Sequence, residues 1–209
     1  MIMKGREIMG YCRLSCSNPL DLEYHDKEWG IPLHDERKQF EYLTMEVMQC
    51  GLSWVLMLKK RDIFRKVFED YDIEKIAAFT EEDVERIIHV EDMIASPRKV
   101  RAVIGNAKAY LEIQKESGSF SSWLWSFTDG KTVLYTHHNE GQIPVSNGLS
   151  EKISKELKKR GFKYLGPITL YSHLQACGII NDHDDDCPRY EYILKNFPCV
   201  RKRRQGEKK

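Results

Sequence analysis

Apolar residues recur along this chain at steps of three and four residues, and this spacing limits what the chain can fold into more than any other feature. Between residues 35 and 50 the apolar side chains Phe40, Leu43 and Val47 follow it. Residues three and four apart share one face of an α-helix, so this stretch predicts an amphipathic helix. Gly51 directly after it indicates where the helix ends.

The same spacing continues through most of the chain. It predicts further helices over residues 81–89, from Pro97 to about Leu111, from Ser150 to Gly161, and from Pro167 to about Gly178. Pro97 suits a first helical turn, where its missing N–H needs no partner. Only Thr132 to Thr136 favours a strand. We therefore predict an all-α fold.

Composition narrows the class of protein. With 209 residues, 41% hydrophobic and 31% charged, the chain has the balance of a soluble globular protein. This excludes a long disordered chain, a fibrous repeat and a disulfide-stapled miniprotein. The longest uncharged apolar stretch, residues 51–58, is far too short to cross a bilayer, and the first eleven residues lack the apolar run of a signal peptide. We expect a cytoplasmic protein that makes no contact with membranes.

One strongly basic segment contains a candidate DNA-binding hairpin. The whole chain has a net charge of only +1, but residues 151–163 contain six cations and two acids. A turn that contains Gly161, Lys163 and Gly166 lies at the end of this segment, directly before the helix at Pro167. The backbone amides of such a turn can bind a phosphate, so we assign DNA binding to these three residues. The alternative is an ordinary helical hairpin with a solvated lysine face.

Two further basic clusters support binding to a nucleic-acid backbone. Residues 59–66 contain five cations and one Asp, and residues 96–111 contain four cations and no acid. Contacts from Lys and Arg to phosphates give affinity that is independent of base sequence and falls with salt. The alternative for each cluster is a solvated helix face.

The six cysteines include candidate metal ligands. A reducing compartment disfavours disulfides and leaves buried thiols or a metal site. His183 and Cys187 have the spacing of paired zinc ligands, and either Cys12 or Cys16 could join His25 as the second pair. Four protein ligands would leave no position for water, so such a zinc would be structural. The alternative is that these pairs occur by chance.

A single carboxylate, Glu46, marks a candidate binding pocket. It borders the apolar face of its helix and has no cation three or four residues away. It lies either at the rim of a pocket, with a raised pKa, or exposed on the surface. Trp54 follows directly after this helix, and Tyr24 and Trp29 lie upstream of it. Aromatic faces stack on bases, and a carboxylate accepts hydrogen bonds from exocyclic amines. Core aromatic residues would show the same pattern.

Taken together, these segments resemble DNA-3-methyladenine glycosylase I, a family of alkylation-repair enzymes in the helix-hairpin-helix superfamily. The resemblance runs from about Tyr11 to Arg189. It rests on Tyr24–Gly30, on Glu46 with Gly51–Trp54, on Ile104–Ala107, on the hairpin Lys158–Pro167, on Leu174–Gly178 and on Asn181–His183.

The resemblance implies a two-lobed helix-hairpin-helix DNA glycosylase fold, with a structural zinc joining the N- and C-terminal regions. It places the zinc ligands on Cys12, His25, His183 and Cys187, and leaves Cys16 outside the set. It places the catalytic, base-contacting carboxylate on Glu46 and the base-binding aromatic residues on Tyr24, Trp29 and Trp54. Leu14 and Asp21 depart from the family pattern, which often has aromatic residues at these positions.

The resemblance also implies an activity, that of a monofunctional N-glycosylase. Such an enzyme would flip 3-methyladenine out of alkylated double-stranded DNA and hydrolyse its N-glycosidic bond without a lyase step. Glu46 would chiefly recognise the base and to a lesser extent assist water. Two alternatives are a catalytically inactive, zinc-stabilised helix-hairpin-helix DNA-binding module and a zinc-stabilised scaffold for protein partners.

The domain organisation expected from the sequence is simple. Residues 10–197 would form one glycosylase domain, with its hairpin at about 150–178. A flexible extension would precede it at 1–9, and a basic tail would follow at 198–209, with residues 199–209 frayed. We expect a monomer.

Overall fold

The fold is seen in a computed structural model that describes residue 12, residues 18–135 and residues 144–203. Helices account for most of these residues. The helices are α1 (Pro19–Lys27), α2 (Glu36–Gln49), α3 (Trp54–Val67), α4 (Ile73–Ala77), α5 (Glu81–Ile88), α6 (Pro97–Ser117), α7 (Phe120–Ser126), α8 (Gly148–Lys159), α9 (Pro167–Ala176) and α10 (Pro188–Asn196). Two short strands are β1 (Thr132–Tyr135) and β2 (Cys199–Lys202), and a 3-10 turn covers Glu69–Tyr71.

The all-α prediction is confirmed, because the two strands form only a small parallel sheet. In its register Thr132 lies opposite Cys199, and Tyr135 lies opposite Lys202. The expectation that the chain is frayed from residue 199 onward is wrong for residues 199–202, which form β2. β2 has four residues, of which Cys199 and Val200 are half-buried and the other two exposed, so it is too short for hydrophobic patterning to reveal.

The predicted helices lie where the apolar spacing placed them, with two shifted boundaries. α6 continues to Ser117, beyond the predicted end near Leu111, and the start of α8 also differs. α8 begins at Gly148 and not at Ser150, because Asn147 is its N-cap. The side chain of Asn147 accepts a hydrogen bond from the amide of Ser150 at 2.9 Å, and the amide of Asn147 donates to the hydroxyl of Ser150 at 3.0 Å. Ser150 is therefore the second member of a capping box.

Helix α2 runs through the centre of the hydrophobic core. Every residue from 39 to 48 is buried, and the helix packs against α3, α6 and α9. The ammonium of Lys99 on α6 donates to the backbone oxygens of Met48 at 2.7 Å and of Cys50 at 2.8 Å. These carbonyls have no partner within the helix, so Lys99 caps the end of α2 that carries Glu46.

Several sequence-based expectations lie outside the described residues. They concern the extension at 1–9, Leu14, Cys16, the strand end at Thr136 and the basic tail at 204–209. None of the helices in the described part of the chain is both long enough and apolar enough to span a membrane.

Candidate active site

A cavity of about 250 Å³ lies between α1, the adjoining ends of α2 and α3, and α9. Its size falls just below the roughly 300–1,000 Å³ that is usual for drug-sized ligands, which suits a ligand as small as one purine. It is lined by Asp21, Tyr24, His25, Trp29, Glu46, Gln49, Trp54, Ser172, Gln175 and Ala176.

The aromatic wall of the cavity comes from three residues. The rings of Tyr24 and Trp54 lie 5.2 Å apart with their planes tilted by 50°. Trp29 also lines the cavity, and its ring stacks on that of His25 at 5.9 Å. These faces can hold a flat ligand by stacking.

Glu46 brings an unpaired carboxyl group to this cavity. Its side chain is buried, with 3% of its surface exposed, and burial raises its pKa to about 8. Among the described residues, its Oε2, the hydroxyl of Tyr24 and the indole N–H of Trp54 have no hydrogen-bond partner. Buried polar groups are normally paired, so these three atoms are available to a ligand. The alternative that Glu46 is exposed is therefore wrong.

The turn between α2 and α3 places Glu46 and Trp54 on one cavity. Gly51 has φ +82°, a left-handed conformation that glycine adopts at no steric cost. Ser53 then caps α3 by accepting a hydrogen bond from the amide of Leu56 at 3.3 Å. The chain thus reverses within a few residues, and the start of α3 faces the end of α2.

Four buried side chains beside the cavity form a group that could hold a metal. They are Cys12, His25, His183 and Cys187, and their ligand atoms lie within 4.8 Å of one another. His183 Nδ1 lies 3.1 Å from His25 Nε2, 3.3 Å from Cys12 Sγ and 3.7 Å from Cys187 Sγ. A tetrahedral zinc with two nitrogen and two sulfur ligands has ligand separations of about 3.3–3.8 Å, so most of these distances fit.

Hydrogen bonds to the two histidines determine which ring nitrogen of each one faces the other three side chains of this four-residue cluster. His25 Nδ1 bonds the carboxylate of Asp26 at 2.8 Å, and His183 Nε2 bonds the carbonyl of Trp29 at 3.1 Å. Histidines that bind metals are usually oriented in this way. Burial first, with the neighbouring His25 adding to it, lowers the pKa of His183 to about 3, so its imidazole is neutral as a metal ligand requires. Gly30 is needed here, because a Cβ would lie 2.7 Å from His183 Nε2.

The predicted hairpin joins α8 to α9, and side chains hold its backbone in place. The amide group of Asn106 on α6 accepts from the N–H of Lys163 at 2.8 Å and donates to its carbonyl at 3.1 Å. Ser154 donates to the carbonyl of Leu165 at 2.7 Å. In the described part of the chain, no hydrogen bond starts at the amides of Leu165 or Gly166. The turn therefore presents unpaired N–H groups before the N-terminus of α9.

The glycines of this hairpin have different reasons to be glycine. Gly161 has φ +90°, which favours glycine, whereas Gly166 has an ordinary φ of −65°. A Cβ on Gly166 would meet no atom of the protein within 4 Å. Its missing side chain leaves room for an external group to approach the backbone closely.

The other two basic clusters are partly used inside the protein. Arg61 is largely buried and forms ion pairs with Glu28 at 2.7 Å and Glu41 at 2.8 Å. Arg101 is paired with Glu81 at 2.7 Å. These arginines stabilise contacts between helices, so the two clusters offer fewer cations to a phosphate backbone than the sequence indicates.

Comparisons with known proteins identify the family of this chain. The model of the methyladenine glycosylase family matches residues 15–190. The chain belongs to the methyladenine glycosylase family. It is 42% identical over 182 residues to the DNA-3-methyladenine glycosylase 1 of Escherichia coli (strain K12), which covers 87% of this chain and 97% of that protein.

Solved structures of the family share the fold. A crystal structure of 3-methyladenine DNA glycosylase I superposes with a TM-score of 0.81 at 42% identity, covering 85% of this chain and 98% of that one. A structure that describes 3-methyladenine recognition by the enzyme from Staphylococcus aureus also superposes with a TM-score of 0.81, at 36% identity, covering 86% and 96%. The predictions of family and fold class are thereby confirmed.

The structure groups the predicted site residues of this family member as follows. Tyr24, Trp29, Glu46 and Trp54 line one cavity, and the four predicted metal ligands form one cluster beside it. Gly161, Lys163 and Gly166 lie together in the hairpin, with the side chain of Lys163 exposed. Asp21, where the family often has an aromatic residue, lines the same cavity. The roles of these residues stay predictions.

Sequence reasoning missed two residues with clear structural roles. Asn106 lies in a motif that supported the resemblance, but its hydrogen bonds to Lys163 join positions 57 residues apart, which no spacing reveals. Gln175 lies in another such motif and lines the cavity. A buried polar residue within an apolar run is the only signal that could have marked either of them.

Proposed function

We propose that this chain is a monofunctional N-glycosylase that removes 3-methyladenine from alkylated double-stranded DNA. The observation that carries the proposal is the purine-sized cavity with stacking aromatic faces and an unpaired, buried carboxyl group from Glu46. A relative with 42% identity is a DNA-3-methyladenine glycosylase, which supports the same substrate.

Binding to DNA would begin at the hairpin. The unpaired amides before α9 and the exposed Lys163 would hold phosphates without reading the base sequence. The damaged nucleotide would then leave the duplex, which costs a few kcal/mol of unstacking and less where the base pairs poorly.

Within the cavity, the extruded base would stack on Tyr24 and Trp54. Adenine methylated at N3 carries a positive charge within DNA, and aromatic faces attract cations. The same charge would favour the ionised form of Glu46, whose pKa is about 8 when nothing faces it. The carboxylate would then accept hydrogen bonds from the exocyclic amine.

Cleavage would need little chemical assistance. The bond between the base and the sugar C1′ breaks, and its electron pair moves to the base and neutralises the positive charge. The sugar becomes an oxocarbenium-like cation, and water adds to C1′ while losing a proton. Glu46 could accept that proton as a general base. The cavity-lining residues, all within the described part of the chain, include no lysine, which supports a reaction without a lyase step.

We further propose that the four-residue cluster binds a structural zinc ion. Cys12 and His25 would hold it from the N-terminal region, and His183 and Cys187 from the C-terminal region. Bound zinc would link these two regions and would take no part in bond cleavage, because four protein ligands leave no position for water. The ion would also fix His25, which lines the cavity.

The test is base release from methylated DNA. The unchanged protein should release free 3-methyladenine, and Glu46→Gln should reduce the rate by at least about tenfold. Glu23→Gln, a matched change at an exposed carboxylate paired with Lys27 on α1, should leave the rate unchanged.

The same assay separates the alternatives. Undiminished release by Glu46→Gln would remove Glu46 from the active site. Salt-dependent DNA binding without release by the unchanged protein would support the inactive DNA-binding module. Absence of DNA binding would support the scaffold.

A further inference from the structure

The cavity wall contains an amide whose orientation the protein fixes. Gln175 on α9 lines the cavity and is buried, with 8% of its surface exposed. Its Nε2 donates to Oδ2 of Asp182 at 2.7 Å. A carboxylate can only accept hydrogen bonds, so the nitrogen of the amide must face Asp182 and the oxygen must face away from it.

Asp182 is itself held in place. Its side chain is buried, with 1% of its surface exposed, and the same Oδ2 accepts a second hydrogen bond from the hydroxyl of Tyr171 at 2.6 Å. Both donors lie on α9, so Asp182 is fixed relative to the helix that carries Gln175. Turning the amide over would place two oxygen atoms against each other in a buried site, which is strongly unfavourable.

The carbonyl oxygen of Gln175 is the group left for the cavity. Among the described residues no donor to this oxygen is found, whereas the nitrogen donates to Asp182. An oxygen that lacks a donor in a ligand cavity selects ligands that bring one, because any other ligand leaves it desolvated and unpaired.

We propose that Gln175 is a specificity-determining residue whose side-chain oxygen accepts a hydrogen bond from the 6-amino group of the bound purine, and that Asp182 is its positioning residue. The inference rests on the proposed function and refines it. A base with a 6-amino group supplies the missing donor, whereas a base with a 6-oxo group brings a second acceptor and is rejected. Glu46 and Gln175 would then recognise the same amine from two elements, α2 and α9.

The experiment compares two free bases that differ only at this position. The probes are 3-methyladenine and 3-methylhypoxanthine, in which an oxo group replaces the 6-amino group, and the readout is the quenching of tryptophan fluorescence on binding. Gln175→Met keeps the length of the side chain and removes its oxygen. It should weaken binding of 3-methyladenine about tenfold, and it should not weaken binding of 3-methylhypoxanthine, because the acceptor that opposes the 6-oxo group is gone.

A matched control exists in the same chain. Gln114 on α6 also donates its amide nitrogen to a carboxylate, that of Glu36 at 2.8 Å, but it lies outside the cavity. Gln114→Met should therefore leave both affinities unchanged. Asp182→Asn offers a donor in place of the carboxylate and allows the amide of Gln175 to turn over, so it should narrow the preference for 3-methyladenine by about tenfold or more. Because Asp182 adjoins His183, metal content and melting temperature are measured on the same sample.

The outcomes are distinct. Loss of 3-methyladenine affinity alone in Gln175→Met supports the assignment, whereas equal loss of both bases, or no loss, overturns it. An unchanged preference in Asp182→Asn overturns the positioning role. If the unchanged protein binds the bases but releases none from DNA, the proposed function fails while the comparison still decides the role of Gln175. Binding of neither base overturns the assignment of Gln175, and release of 3-methyladenine from DNA still decides the proposed function.

Discussion

Two glutamates on α2 show how the neighbours of a buried residue determine its role. Glu41 and Glu46 are equally buried, each with 3% of its surface exposed. Burial raises the pKa of Glu41, but ion pairs with Arg61 at 2.8 Å and Lys38 at 3.1 Å outweigh it and hold the pKa below its usual value. Nothing opposes burial at Glu46, whose pKa rises to about 8. Glu41 therefore stabilises the fold, whereas burial favours the uncharged form of Glu46.

This difference predicts how stability depends on pH. The folded-state pKa of Glu46 is about 8 against an ordinary value of 4.5, so the folded chain retains a proton that the unfolded chain loses. The contribution of Glu46 to the free energy of unfolding is fully present below about pH 4.5. It is lost as the pH rises towards 8, and the total loss is on the order of 5 kcal/mol. The glutamine side chain in the Glu46→Gln variant does not titrate in this pH range. We expect its melting temperature, relative to the unchanged protein, to rise by roughly 10 °C between pH 5 and pH 8.

Circular dichroism melts across this pH range check the expectation. Glu23→Gln, at an exposed position on α1, should give a nearly constant difference in melting temperature. A constant difference for Glu46→Gln as well would mean that Glu46 is ionised at neutral pH in the folded chain. The low-dielectric cavity would then have to contain a compensating charge.

At the scale of elements, local patterns predicted the helices and non-local pairing did not follow from them. The apolar spacing located α2, α5, α6 and α9, because each buries one face against the core. It could not locate β2, whose residues 199–202 are half-buried to exposed and pair with a strand 67 residues earlier. The shifted start of α8 has a local cause, since Asn147 and Ser150 are both good caps and only the structure shows which one begins the helix.

For the candidate site, too, the sequence predicted the local features but not the contacts between distant residues. Residue chemistry marked Glu46, the aromatic residues and the Cys and His ligands, but their spacing left an exposed Glu46 and a choice between Cys12 and Cys16 open. The resemblance to a family resolved these choices. Neither route revealed that Arg61 is used in ion pairs within the protein, because its partner Glu28 lies 33 residues away.

The hairpin depends on a side chain from another element, which gives a second prediction. Asn106→Ala leaves the N–H and the carbonyl of Lys163 without their partners and loosens the turn. We expect affinity for an undamaged duplex to fall about tenfold, while affinity for free 3-methyladenine stays unchanged, because the cavity is separate from the hairpin. Fluorescence anisotropy with labelled DNA measures the first quantity and tryptophan quenching the second.

The matched control is Asn196→Ala. Asn196 on α10 also donates its side-chain N–H to a backbone oxygen, that of Tyr192 at 2.8 Å, at an exposed position. This variant should bind DNA normally. Unchanged DNA affinity in Asn106→Ala would show that the turn keeps its conformation without this clamp, and that Ser154 and the packing of α8 on α9 suffice.

At the scale of the whole molecule, the four-residue Cys and His cluster brings together the N- and C-terminal regions of the described chain. Cys12 and His183 are 171 residues apart in sequence, yet their ligand atoms lie 3.3 Å apart. Bringing such distant segments together costs conformational entropy, and a bound metal offsets that cost with coordination energy. Three of the four ligands gain fixed geometry from neighbours: His25 from Asp26, His183 from Trp29, and Cys12 from the amide of Asp184 at 3.2 Å.

A structural role for zinc predicts that its removal lowers stability and leaves the chemistry intact. Elemental analysis should find one zinc per chain, and Cys187→Ser should lose it and melt roughly 10 °C or more below the unchanged protein. Cys199→Ser removes a half-buried thiol outside the cluster and should keep both the zinc and the melting temperature. Below the melting temperature of Cys187→Ser, its rate of base release per folded molecule should stay within a few-fold of the unchanged protein. If the metal were catalytic, its loss in Cys187→Ser would instead abolish base release at every temperature, because water activated at the ion would then be the nucleophile.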